Sequence, residues 1–317
     1  MTRLAAVDCG TNSIRLLVSE VGPAGRIRDL HREMKIVRLG QGVDATGELD
    51  PEAIERTREA LAHFVEIMRH EHVEKVRMVA TSATRDATNR HDFFDMTAEL
   101  LGEVQEGARA EVITGEEEAE LSFRGAIGDV AADRGPFLVI DLGGGSTEFV
   151  VGDAENGVAA AHSTQMGCVR LTERIMRADP PTATEIEIAR DYVEERLDRV
   201  RTLLPLSKVR TVVGCAGTFT TLSALAQGLE EYDPDAIHGS ELNFSALRLI
   251  TQMLISESSS ARAANPVIHP GRADVIGSGS VIVEQIMDLA KESTQATSFV
   301  ISEKDILDGI IAGLAEG

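Results

Sequence analysis

The sequence predicts a two-domain α/β protein with mixed sheets flanked by helices, and three observations predict it. Residues 137–152, FLVIDLGGGSTEFVVG, run an apolar strand into an acid, three glycines and two hydroxyl residues before a second apolar strand leaves. Near the N-terminus LAAVDCGTNSIRLLVSE draws the same hairpin, with Asp8, Gly10 and Ser13 each 133 positions ahead of Asp141, Gly143 and Ser146. After each hairpin, strand and helix patterns alternate, as α/β layers require. A chain of 317 residues can fill two cores. The domains are placed at 1–126 and 127–317, with the closing helix 303–317 able to pack back on the first.

In the first half HREMKIVRLGQGVDATGELD reads as a strand entering a glycine-rich turn. Asp50 and Pro51 then cap and open a helix carrying Ile54, Leu61, Phe64, Val65 and Met68 at helical spacing. VRMVATS and EVITG are further strands, separated by a helix at about 91–103, and a helix opens at Glu116. In the second half the hairpin is followed by a strand near Val158 and a short helix from Val169. A long helix follows, with Thr182 and Glu185 in capping-box spacing and Ile186, Val193, Leu197 and Val200 on one face. VRTVVGCAGT is a strand running through glycine into a helix, and helices follow at 244–257 and 272–291. SFVIS is the last strand, and Ser302, with Asp305 three residues on, caps the closing helix.

A formal charge of −21, 3% aromatic residues and no Trp argue against nucleic acid as a partner. They leave a small or linear polyanion open, because screening over about 8 Å lets the local field of a pocket govern. No apolar run approaches a membrane span, and Asp8 arrives before any signal-peptide core, so neither membrane insertion nor secretion is expected. Cys9, Cys168 and Cys215 are isolated and lack metal-ligand spacing, as expected of reduced cytoplasmic thiols.

The bare turns carry the chemistry. Glycine lets backbone N–H groups converge without a Cβ in the way, and such arrays bind anions. Gly10, Thr11, Asn12 and Ser13 in one turn, and Gly143, Gly144, Gly145, Ser146 and Thr147 in the other, are candidate phosphate ligands. Asp8 and Asp141, at the ends of the entering strands, are candidates to hold a cation or its water. A third turn, GCAGTFTTL, offers Gly214, Gly217 and Thr218 at a helix start, where either an anionic group or close helix–sheet packing accounts for the glycines. Glu116, Glu117 and Glu118 open a helix, either as a solvated end that suits the helix dipole or with one of them orienting a water on a phosphoryl group. Arg85, just past a strand end, is a candidate phosphate clamp, and Arg15 a weaker one.

In this order AAVDCGTNSIRLLV, VRLGQGVDATGEL, ATSATR, ITGEEEAELSF, VIDLGGGSTEFVVG, QMGCVRLTE, GCAGTFTTL and PGRADVIGSG resemble the exopolyphosphatase and guanosine pentaphosphate phosphohydrolase (Ppx/GppA) family over nearly the whole chain. The resemblance implies a duplicated actin-like (ribonuclease H-like) ATPase fold with an interdomain cleft. It also implies Mg²⁺-dependent hydrolysis of a terminal phosphoanhydride, with Mn²⁺ as the alternative ion. By family pattern Glu118 activates water, Asp141 and Glu148 serve metal and water, and Arg85 and Arg272 contact phosphate. Glu120 stands where the family usually has arginine. Longer relatives carry a further helical domain that grips long polymers, from which a preference for short chains is expected here. The implied substrates are inorganic polyphosphate or guanosine pentaphosphate, and a homodimer is allowed. The competing classes are a phosphotransferase and a non-enzymatic sensor on the same fold.

Overall fold

The computed structural model describes residues 1–316. The chain divides into two compact units, the first comprising Met1–Gly125 and the residues from Ile306 on, the second Ala126–Asp305. The expected second domain, 127–317, is therefore shorter at its end. The closing helix Ile306–Glu316 belongs to the first unit because its apolar face, Ile306, Leu307, Ile310 and Ile311, meets Leu4, Ala6, Leu17 and Val79 there. A Cβ on Gly309 would lie 2.0 Å from the Leu121 carbonyl oxygen, so the glycine is what lets this helix approach the helix Gly115–Ala126.

In the first unit β1 (Thr2–Cys9), β2 (Ser13–Val21), β3 (Ile27–Ile36), β4 (Lys75–Ala80) and β5 (Ala110–Val112) form a sheet in the order β3-β2-β1-β4-β5. The first three strands pair antiparallel; β4 and β5 join in parallel. Alternate β1 side chains serve opposite faces. Leu4 and Ala6 meet the closing helix, while Ala5, Val7 and Cys9 join the core under the helix Pro51–His70. Covered on both faces, the strand reads as a continuous apolar run. Asp50 accepts from the Glu52 N–H at that helix start, and Ala53, Ala60, Leu61, Phe64, Val65 and Met68 are its buried apolar residues, with Ile54 partly buried beside them.

The second unit contains β6 (Phe137–Leu142), β7 (Thr147–Asp153), β8 (Gly157–Thr164), β9 (Thr211–Cys215), β10 (Glu241–Asn243) and β11 (Ser298–Ser302) in the order β10-β11-β9-β6-β7-β8. Apart from the added edge strand β10, the order from β8 inward repeats that of the first unit, with an antiparallel meander followed by parallel strands. Both units thus carry the same strand topology, as the duplicated turns led one to expect. The Thr182 and Glu185 capping box forms reciprocally at the helix Ala183–Leu203. The helix expected at 272–291 runs Ile276–Ser293 and lies almost wholly in the core, where Phe299 packs edge-on between Phe219 and Phe244. The expected Ser302 cap does not form. The closing helix starts at Ile306, and Ser302 Oγ instead bonds the Lys304 backbone.

Candidate active site

The two bare turns share one internal bond: Gly10 N–H donates to Ser13 O at 3.0 Å and Gly143 N–H to Ser146 O at 3.0 Å. What surrounds each turn differs. In the first unit, Val37 and Arg38 N–H donate to Asn12 O and Gly40 N–H donates to Thr11 O. A Cβ on Gly40 would stand 2.3 Å from Thr11 Cγ2, so only glycine lets this segment close over the turn. Thr11 is buried and its Oγ1 has no hydrogen-bond partner. Asp8, three residues earlier, is also buried, but Arg15 donates Nη2 and Nε to its Oδ2 at 2.6 and 3.0 Å. Asp8 thus has an arginine of the same hairpin as a counter-charge.

Strand β4 ends at Ala80; Thr81, whose N–H donates to Cys9 O, leads into the short helix Ser82–Asp86, which presents Arg85. Arg85 Nη1 donates to Glu118 Oε2 at 2.6 Å and to Ile113 O at 3.1 Å, whereas its Nη2 is buried with no partner. The three adjacent glutamates separate cleanly. Glu116 is exposed, Glu117 is held by Arg77 Nη2 at 2.6 Å, and Glu118 is buried against Arg85. Thr114 Oγ1, accepting from the Glu117 N–H at 3.1 Å, fixes the start of the helix and hence which glutamate points inward.

In the second unit the carbonyls of the glycine turn are consumed by the start of the helix Cys168–Arg174. Cys168 N–H bonds Gly143 O, Val169 and Arg170 N–H bond Gly144 O, and Arg170 Nε bonds Gly145 O at 2.7 Å. The remaining N–H groups and the Ser146 hydroxyl are what such a turn offers an anion, since Thr147 Oγ1 donates to Met166 O and Gly143 N–H to Ser146 O. Asp141 and Glu148 stand directly opposite one another on β6 and β7, both buried, and Ser163 Oγ donates to Glu148 Oε1 at 2.8 Å. By the repeat these are the counterparts of Asp8 and Arg15, so the acid–base pair of the first unit is an acid–acid pair in the second.

The third turn divides between the two roles left open. A Cβ on Gly214 would collide with the Phe219 ring at 2.5 Å, a packing role. A Cβ on Gly217 would fall 2.2 Å from Arg272 Cζ, and Arg272 Nη1 donates to Gly217 O at 3.4 Å, so this glycine admits a guanidinium at the start of the helix Ala216–Ala226. Thr218, in the first turn of that helix, is buried. Burial pushes the Cys168 thiol up to about 11, against a partial pull from Arg272, so it stays protonated at neutral pH and is no nucleophile. Ser163, Arg77, Thr114 and Arg170 were not singled out from sequence, since their roles depend on partners that no local motif marks.

Two buried carboxylates facing each other suit a hard divalent cation. Among the described residues no cluster of three or more His, Cys, Asp or Glu could hold a metal by itself, and a two-carboxylate set is what Mg²⁺ takes when substrate oxygens and water complete its shell. The sequence profile of the Ppx/GppA phosphatase family matches residues 17–312. A Mycobacterium tuberculosis protein named exopolyphosphatase 2 is 54% identical over 318 residues, covering 99% of each chain. The crystal structure of the Aquifex aeolicus Ppx/GppA family member shares 29% identity over 99% of this chain and 98% of that one, with a TM-score of 0.80. A Photobacterium profundum guanosine-5'-triphosphate,3'-diphosphate pyrophosphatase is 32% identical over 230 residues, 72% of this chain and 44% of that one.

Proposed function

We propose that this chain, which belongs to the Ppx/GppA phosphatase family, is an exopolyphosphatase that hydrolyses the terminal phosphoanhydride of inorganic polyphosphate and releases orthophosphate. The observation that carries the reading is Arg85, a buried fork with one arm on Glu118 and the other without an acceptor. An unmet buried donor costs about 1–3 kcal/mol, and a phosphoryl oxygen is an acceptor of the charge and geometry that arginine fits. The buried Thr11 hydroxyl is a second donor awaiting such an acceptor.

Both units carry candidate groups. Glu118, fixed by Arg85, orients a water and takes its proton as the oxygen attacks the terminal phosphorus, while the bond to the bridging oxygen breaks. Arg85, Thr11 and the turn 10–13 are the phosphate-binding groups of the first unit; the turn 143–147 and Arg272, lying on Gly217, are those of the second. Asp141 and Glu148 are the residues that would hold Mg²⁺, or Mn²⁺ in its place, and the ion would neutralise charge on the phosphoanhydride. Asp8 is not needed for this, since Arg15 already balances it. Three free buried cysteines favour the reducing cytoplasm as the compartment.

The test is phosphate release from short polyphosphate, long polyphosphate, guanosine pentaphosphate and ATP, with and without Mg²⁺. Release from polyphosphate that requires Mg²⁺ is expected. Faster release from guanosine pentaphosphate would favour the second reading, to which the Photobacterium relative lends support. Binding without release, or transfer only to an added acceptor, would overturn hydrolysis.

A further inference from the structure

We infer that Ser163 is a positioning residue for the proposed cation pair, its hydroxyl holding Glu148 in the orientation in which Glu148 and Asp141 act together on a divalent ion. The inference rests on the reading above, in which these two acids hold the ion. Three adjacent strands carry the row. Asp141 on β6 pairs across from Glu148 on β7, and Glu148 pairs across from Ser163 on β8, so the three side chains lie abreast on one face of the sheet. Glu148 is 1% exposed, so its carboxylate has exchanged water for protein donors, and Ser163 Oγ supplies one to Oε1 at 2.8 Å. That bond is one restraint on the rotation of the carboxylate about its last single bond.

The support beneath Ser163 is firm. In the neighbouring pair on the same strands, Thr164 Oγ1 donates to Thr147 O at 3.0 Å, and Thr147 Oγ1 donates to Met166 O. The end of β8 is thereby tied to β7 at Thr164 and again just beyond it at Met166. The first unit provides an internal comparison, because its corresponding row reads Asp8, Arg15, Met34. There the arginine answers the aspartate and the third place carries no polar group. Where the second place is an acid, the third is a hydroxyl. A neutral donor orients a carboxylate without cancelling its charge, which is what a metal ligand requires and what an arginine or lysine at 163 would defeat.

Mn²⁺ binding to the full chain without substrate, followed by calorimetric titration, tests the assignment. Ser163→Ala is expected to weaken Mn²⁺ binding about tenfold, the scale on which metal sites lose affinity when an outer hydrogen bond to a ligand is removed, while Ser163→Thr stays within about threefold of wild type. In turnover, Ser163→Ala raises the Mn²⁺ concentration for half-maximal rate by the same factor, with substrate KM unchanged at saturating Mn²⁺. Wild-type Mn²⁺ affinity in a Ser163→Ala protein with a native circular dichroism spectrum would overturn the positioning role and leave the acid pair standing. Wild-type affinity in Glu148→Gln would instead remove the acid pair, and Ser163 with it.

Discussion

Arg85 Nη1 lies 2.6 Å from Glu118 Oε2, and this single contact distinguishes one glutamate from its two neighbours. Successive helical residues are rotated by about 100°, so of three in a row only one can face a fixed partner. Glu117 turns instead to Arg77, on the next strand over, and Glu116 to solvent.

Glu118→Gln should therefore lower kcat by about two to four orders of magnitude with KM little changed, the scale of losing a general base. Glu117→Gln should stay within about threefold of wild type, since Glu117 is held by Arg77 on another face. Steady-state phosphate release from polyphosphate checks both. A collapse of turnover in Glu117→Gln with survival of Glu118→Gln would reverse the roles.

Arg85→Lys keeps the charge but not the fork. One ammonium cannot replace two guanidinium arms, so kcat/KM should fall by about tenfold to a hundredfold although net charge is unchanged. The same assay measures it, and an undiminished kcat/KM would remove Arg85 from phosphate binding.

Glu148→Gln removes one of two facing buried acids while leaving a carbonyl oxygen for Ser163. Mg²⁺ is expected to raise the Tm of the wild type and to leave that of the variant unchanged. Thermal melts with chelator and with Mg²⁺ decide the matter; a wild-type Mg²⁺ shift in the variant would contradict the assignment.

Gly167→Ala places a Cβ 2.3 Å from the Gly144 backbone. The helix start that consumes the carbonyls of the glycine turn cannot then dock without displacement, so the expected cost is about 1–3 kcal/mol, with loss of phosphate release. Urea unfolding and the activity assay report the two effects.

Asp129 titrates below the usual carboxylate range, chiefly because Lys304 Nζ bonds it at 2.7 Å, with a further contribution from His238 Nε2 and against partial burial. A depressed folded-state pKa gives stability that is present above the unfolded value and is lost as pH falls through the folded one. Asp129→Asn should thus cost up to about 1 kcal/mol at pH 7, where the half-exposed pair is screened by solvent, and progressively less as pH falls through the depressed folded-state value. Denaturation curves at pH 7 and through the acid range check this.

Local chemistry made much of the molecule legible in advance. The paired turns, the apolar strands around them, the Asp50 and Thr182 helix starts and the candidacy of Asp141 and Arg85 all follow from short runs of sequence, because φ/ψ preference, side-chain periodicity and capping act within a few residues. Partnerships between distant segments did not follow. Counting back from the turn between β7 and β8, where Asp153 pairs with Gly157, sets His162 opposite Glu148. A one-residue bulge between Val151 and Gly152 brings Ser163 there instead. The closing helix joins the first unit because its apolar face finds β1, nearly the whole chain away. The sequence by itself determined the duplicated turns and the acids beside them. Which acid is answered by an arginine and which by another acid, and which glutamate is buried, was decided only by register and packing, since these bring together residues that no local preference couples.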